Sequence, residues 1–335
     1  MKKLPANITV LYNLPQGSDW DDTDTQKSAL AVAAGLTEAG YQVEVRGIST
    51  AEISTVSKLR ADLVFNLVEW AGRDYPLGVA VIKELEKAGL PYTGSNPWGY
   101  GLSCNKVLMK KLLVENNIPT PKYQVVENLK LEIRNLKYPL IVKPVYEHAA
   151  IGISQTSVVT NADDLASRVS DLISKYEQPA LVEELVDGDE AQLTVLEKHG
   201  KPWVLPPAVF RYQKKSGYWP INTYEAKWGD GWESAMSAWV DEPLPPRTEA
   251  EITRLAKLCY EKLGGRSYPR VDMRITPQGA VYVLEVNNNP GIDFDPESGI
   301  TVAAKAAGLD WPGLLTNIVQ EAYLMHYQTY DSAGL

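Results

Sequence analysis

The sequence predicts an α/β protein that opens on a parallel sheet. Strand and helix patterns alternate through the first hundred residues, a continuous apolar strand sits at residues 62–67, and each strand run is separated from the next by a helical one. At 335 residues the chain can bury a large core divided among two or three domains.

Residues 8–12 read as the first strand. A helix follows from Gln26 to Ala39, with Ala29, Val32 and Leu36 at helical spacing, and Gly40 ends it. Val43 and Val45 alternate with charged neighbours, as in a strand with one face buried. After the strand at 62–67 comes a loop, 69–77, and then a helix through Lys83 and Leu85. No GxGxxG follows the first strand, so the dinucleotide fingerprint is absent. Ligands of open parallel sheets sit beyond the carboxyl ends of the strands, which makes 13–25 and 66–78 candidate substrate loops. Both can equally be long connections.

A second unit begins at Ser103, which can cap a helix with Val107, Leu108, Leu112 and Val114 as its apolar stripe. Residues 138–144 form a strand that delivers Lys143 into a small, flexible segment containing Gly152. A buried ammonium needs an anion, and a phosphate would serve, although a surface lysine fits the same pattern. Another strand, 179–185, leads through Asp187-Gly188-Asp189-Glu190 into 192–196. That connection suits the hinge of a nucleotide cleft, or a charged turn. The segment 203–240 is rich in large rings, including Tyr212, Trp219, Trp228 and Trp232, and lacks periodicity, as a lid does. Thr248-Glu249-Ala250-Glu251 is a capping box that opens a helix through Ile252, Leu255 and Cys259.

Arg270-Val271-Asp272, a turn at 277–279, and 282–291 then predict a hairpin rich in β-branched residues. Glu285 and Asn287 share one face by alternation. If Asp272 projects from the same face of the partner strand, two carboxylates and an amide oxygen converge. Such a set suits magnesium, whose remaining positions go to phosphate oxygens and water.

Composition narrows the class of function. A net charge of -9 excludes an extended nucleic-acid surface, while small anionic ligands need only a few local lysines. Cys104 and Cys259 are too few and too distant for a disulfide scaffold or a cysteine metal site, which suits the cytoplasm. Residues 1–10 lack a secretory apolar core, and no apolar run matches a bilayer span, so neither secretion nor membrane insertion is expected.

The order Lys106, Lys143, 183–190, 224–227, Arg270, Asp272, Glu285, Asn287 resembles the ATP-grasp superfamily, and within it the D-alanine–D-alanine ligases. Leu90-Pro91-Tyr92-Thr93-Gly94-Ser95 resembles "IPYTGS", residues 141–144 resemble "VIVKP", Tyr224-Glu225-Ala226-Lys227 resembles "YEAKY", and 285–291 resemble "EVNTxPG". The resemblance covers almost the whole chain. It implies an ATP-grasp fold with α+β lobes: an N-terminal α/β domain at 1–101, a central lobe at 102–180, and a C-terminal lobe at 181–335 carrying the metal site and the 203–240 lid.

The resemblance also implies roles. Lys106 and Lys143 would contact nucleotide phosphates, Glu183 would lie near the adenine amino group, and Glu190 would take the ribose. Glu184, Leu185 and Val186 would border the adenine. Lys227 would face the transferred phosphate, Asp272, Glu285 and Asn287 would hold magnesium (or manganese), and Arg270 with Gly291 would stabilise an oxyanion. The implied activity is an ATP-dependent carboxylate-amine ligase working through an acyl phosphate, with small amino-acid-like substrates and room for a homodimer. Authentic D-alanine–D-alanine ligation and a non-catalytic ATP-binding protein are the alternatives.

Departures from the family pattern gather at the amino-acid end. Residues 15–22 replace a glycine-rich loop and its ammonium-binding glutamate, for which Asp21, Asp22 or Asp24 are candidate substitutes. The "HGxxGEDG" loop becomes 66–74 without its histidine, Ala149 replaces a serine, and Trp228 replaces a tyrosine. Three members of one hydrogen-bonded network are thus absent, which predicts a different or roomier substrate pair. Glu69 and Ser298 complete the candidate substrate set.

Overall fold

The structure is a computed structural model. It describes residues 4–14, 20–70, 72–128, 133–213, 215–229, 237–240, 242–292, 295 and 298–333, with the side chains of 20–23 and 328–333 outside the described set.

A parallel sheet in the order β2-β1-β3 forms the N-terminal unit, from β1 (Asn7–Asn13), β2 (Gln42–Ile48) and β3 (Leu63–Asn66). Helix α1 (Trp20–Glu38) crosses from β1 to β2, and α2 (Tyr75–Lys87) follows β3. Ala29, Val32 and Leu36 are buried against Val10 and Phe65, as their spacing predicts. Helix α1 starts six residues before the expected Gln26, so part of the presumed 13–25 loop is helical.

Helices α3 (Pro97–Ser103) and α4 (Lys106–Glu115) lead into the next lobe, and they correct the sequence reading in two ways. Ser103 ends α3 and accepts a hydrogen bond from Asn288 N; the cap of α4 is Asn105, whose Oδ1 accepts from Leu108 N at 3.0 Å. The buried face of α4 is Met109, Lys110 and Leu113, whereas Leu108 and Val114 are 39% and 57% exposed. Met109 and Leu113 pack with Val283 and Val286 of the C-terminal sheet, and that contact fixes the helix rotation.

The central lobe is an antiparallel sheet in the order β4-β7-β5-β6, built from β4 (Tyr123–Val126), β5 (Leu140–Pro144), β6 (Val158–Val159) and β7 (Ala180–Glu184). Helix α5 (Ala162–Tyr176) covers it with Leu165, Val169 and Leu172. Pairing in this sheet therefore runs to Glu184, past residue 180.

The C-terminal sheet has the path β11-β10-β8-β12-β13, with β9 also on β8. Its strands are β8 (Asp189–Lys198), β9 (Lys201–Val204), β10 (Ala208–Tyr212), β11 (Ser237–Trp239), β12 (Arg270–Ile275) and β13 (Val281–Asn287). Helix α6 (Tyr224–Trp228) lies between β10 and β11, and α7 (Pro246–Lys262) follows. Strands β9, β10 and β11 occupy parts of the expected 203–240 lid, because Val209 and Phe210 enter apolar clusters; Trp232 lies outside the described residues. Helix α7 starts at Pro246 rather than through the expected Thr248 box, since proline suits the first helical turn, and Glu251 pairs with Arg254 at 2.8 Å instead.

Helices α8 (Gly299–Ala306) and α9 (Trp311–Ala333) return to the N-terminal unit. Leu314, Leu315, Ile318 and Val319 join the cluster of Val10, Val32 and Phe65. Trp311 Nε1 donates to Ala31 O at 3.2 Å, and a Cβ on Gly35 would come within 2.5 Å of the Trp311 ring. Only glycine permits so close a seat.

Candidate active site

A cavity of about 1140 Å³ is lined by all three sheets and their connections. Lys106, Lys143, Glu190 and Lys227 face it, as do Arg270, Asp272, Glu285, Asn287 and Gly291. The lining also includes Asp24, Glu69, Ala149, Trp228 and Ser298. Asp21 and Asp22 have side chains outside the described residues. Glu183 and Glu184 through Val186 are not in the lining. Glu184 instead accepts from Lys137 N at 2.9 Å, and Leu185 N donates to Pro139 O at 3.0 Å.

The hairpin places its oxygen donors together. Asp272 is the cross-strand partner of Glu285, and Arg270 that of Asn287. The register shifts just after Asp272, a bulge that marks the end of this paired set. Arg270 donates to both Asp272 oxygens, at 2.7 and 3.0 Å, and Asn287 Nδ2 donates to Asp272 Oδ2 at 3.0 Å. Burial, with the neighbouring Glu285, holds the Asp272 carboxyl above its usual range despite Arg270. Burial would also raise Glu285, but Lys106, Lys143 and Arg270 outweigh it and hold that carboxyl low. Two carboxylates and an amide oxygen are hard donors, so the set fits magnesium once phosphate oxygens and water complete the shell.

On the central-lobe side, Lys143 leaves the end of β5 and meets Glu183 Oε2 at 2.9 Å. Lys110 holds the other oxygen, Oε1, at 2.5 Å. Burial alone would raise Glu183, yet the Lys110 and Lys143 charges bring its carboxyl down to about 2. Lys106, at the start of α4, donates to Glu147 O, and burial lowers its ammonium while Glu285 opposes that shift. The following loop bends through left-handed backbone at Ala149, Ala150 and Gly152, with φ of 53°, 63° and 76°.

Glu190 accepts from Tyr212 Oη at 3.1 Å and pairs with Arg274 at 3.2 Å. Burial raises its carboxyl, with Arg274 opposing. Arg274 in turn holds Gly188 O at 2.8 Å and Pro220 O at 2.6 Å, tying the connection before β8 to the chain before α6. Lys227 is exposed to the cavity, and desolvation by the surrounding walls, then the Arg270 charge, lowers its ammonium. Its Nζ sits 4.6 Å from the Trp228 ring centroid.

The surroundings of Ala149 and Trp228 depart from the sequence reading. Trp228 Nε1 donates to Ala149 O at 2.9 Å, so the two altered positions still touch, through indole and backbone. Glu69 Oε1 meets His148 Nδ1 at 2.8 Å, which joins the loop after β3 to the loop after β5. Burial raises Glu69, but His148 chiefly, then Lys227 and Arg270, leave it below the usual carboxylate range.

Sequence reasoning missed Lys110, Arg274 and His148. Lys110 is one helical turn beyond Lys106, and Arg274 continues the alternation of Arg270 and Asp272, so spacing could have found both. His148 carries no such signal, because its partner Glu69 comes from the loop after the distant strand β3.

Comparison with known proteins gives the lineage. The family model "D-ala D-ala ligase C-terminus" matches residues 112–320. A D-alanine–D-alanine ligase of Marinomonas sp. strain MWYL1 is 33% identical over 326 residues, covering 94% of this chain and 95% of its own. An uncharacterized protein of Sinorhizobium fredii strain NBRC 101917 / NGR234 is 29% identical over 309 residues, covering 89% and 88%. In fold, the crystal structure of D-alanine–D-alanine ligase from Bacillus anthracis complexed with ATP matches with a TM-score of 0.76 at 23% identity, over 98% of this chain and 100% of that one. The chain belongs to the D-alanine–D-alanine ligase family and is an ATP-grasp ligase of the kind that forms carbon–nitrogen bonds.

Proposed function

We propose that this ligase joins two amino-acid-like substrates through an acyl phosphate, with a pair other than two D-alanines. The observation that carries the reading is one continuous cavity lined by a cluster of cations together with several carboxylates. Lys106, Lys143, Lys227 and Arg270 bring four cations to its wall, the setting a polyphosphate needs. Asp272, Glu285 and Asn287 would hold magnesium there, which neutralises phosphate charge when bound. Manganese suits the same donors.

The remaining steps belong to the chain's own residues. Lys227 and Arg270 favour negative charge as the substrate carboxylate attacks the γ-phosphorus and ADP leaves. The incoming amine would then attack the activated carbonyl, with Arg270 and the Gly291 amide stabilising the oxyanion, and phosphate departs as the amine's proton passes to solvent. Glu69, ionised and facing the cavity, would take a substrate ammonium, with Asp24 as a second acid in the lining. Trp228 and the Glu69–His148 pair supply polar groups that differ from the family pattern, which favours another substrate pair.

Purified protein with ATP, magnesium and a panel of L- and D-amino acids, followed by phosphate release and product mass, tests this. No phosphate above background with any pair would sink it. Authentic D-alanine–D-alanine ligation is the second reading, favoured by the retained contact between Trp228 and Ala149. Efficient D-alanine-dependent phosphate release would establish that reading. The proposal includes a cytoplasmic homodimer, tested by fractionation and sedimentation equilibrium; the structure adds only that no described helix is long and apolar enough to cross a membrane.

A further inference from the structure

Lys110 does not line the cavity, yet it is an ammonium only 1% exposed on the helix face shared with Met109 and Leu113. An aliphatic side chain would pack there without the desolvation cost of a charge. The charge is held by Glu183 Oε1 at 2.5 Å and by Thr120 Oγ1 at 2.6 Å, and Thr120 donates onward to Val283 O at 2.7 Å. Val283 lies on β13, the strand that carries Glu285. Glu183 Oε2 holds Lys143, whose side chain is 18% exposed and faces the cavity.

Two ammonium groups thus share one carboxylate, and the trio keeps a net charge of about +1. Without Lys110, Lys143 and Glu183 would be a neutral pair, a poorer attractor for an anion. Without Lys110 the carboxylate would also lose the partner that fixes its rotation. We infer that Lys110 is a positioning residue for the nucleotide polyphosphate: it occupies and orients Glu183, so that the charge of Lys143 stays directed into the cavity. The inference rests on the proposed reading of Lys143 as a phosphate ligand.

The test compares binding of magnesium-ATP and of adenosine, which has no phosphate, to wild type, K110M, K110M/E183Q and K143M. Thermal melting of each variant is followed alongside. K110M should weaken ATP about tenfold while adenosine changes less than about twofold, the loss expected for one charge-assisted contact. The double variant removes the spare carboxylate with its partner and frees Lys143, so its ratio of ATP to adenosine affinity should return to within about threefold of wild type, whatever Glu183 does for the adenine. Should K110M fail to fold, the double variant decides alone by the same criterion. Equal weakening of ATP and adenosine by K110M, an unaffected K110M, or a double variant whose ATP-to-adenosine ratio stays as low as that of K110M would overturn the inference. Unchanged ATP binding by K143M would instead remove the reading of Lys143 itself.

Discussion

Arg270 and Asp272, two residues apart on one strand, form a fork with both carboxylate oxygens engaged, at 2.7 and 3.0 Å. The arginine proposed for the oxyanion is therefore also the partner of a proposed metal ligand. Replacing it with alanine would leave Asp272 buried beside Glu285 without its counter-charge, and would disturb both roles at once.

Arg270→Lys is the cleaner substitution, since it keeps the charge and loses the planar fork. Substrate-dependent phosphate release should fall about 100-fold, as when one oxyanion donor is removed, with ATP affinity within about threefold of wild type. Parallel loss of ATP affinity and turnover would contradict the proposed oxyanion role.

Trp228→Phe keeps the ring and removes the donor to Ala149 O. The KM for an amino-acid substrate should rise about fivefold, the equivalent of one neutral hydrogen bond, while the KM for ATP stays unchanged. An effect confined to ATP would tie Trp228 to the nucleotide instead.

Met109→Ala should destabilise the protein by about 2–5 kcal/mol, because a buried side chain packed on β13 is removed. Val114→Ala, at a position 57% exposed, should cost less than about 0.5 kcal/mol. Urea titrations of the two variants check the pair, and the opposite ranking would mean that α4 is rotated from its described face.

Acid should expose the Glu183 trio. Its carboxyl lies at about 2 in the folded protein, against about 4.3 in an unfolded chain. A depressed folded value contributes stability in full above the unfolded value, and that contribution is lost as pH falls toward 2. K110M/E183Q should show a shallower loss of stability between about pH 4 and pH 2 than wild type. Identical slopes in acid urea titrations would mean that Glu183 protonates as an ordinary carboxyl.

Much of this was legible because the signal was local. Period-two alternation and the 277–279 turn revealed the 270–287 hairpin, and three-to-four spacing revealed α1. The face of α4 was not legible. Leu108, Leu112 and Val114 outnumber Met109 and Leu113 as apolar residues, and only the distant β13 decides which side is buried. Glu69 and His148 show the same limit at the site, since neither chooses its partner by local spacing. Substituting side chains at Ala149 and Trp228 suggested a lost contact, but a backbone carbonyl restored it, and backbone acceptors leave no trace in residue identity.

The seat of Trp311 against Gly35 joins two helices whose contacting residues Ala31 and Trp311 lie 280 positions apart. Contacts of such long sequence separation form late in folding, because the entropy of closing a long loop is lost before the contact offsets it. Helix α1 already packs on the N-terminal sheet, and Leu314, Leu315, Ile318 and Val319 add the distant part of the same cluster. Trp311→Ala should therefore speed unfolding more than it slows refolding in stopped-flow urea jumps, and an effect mainly on refolding would contradict that order.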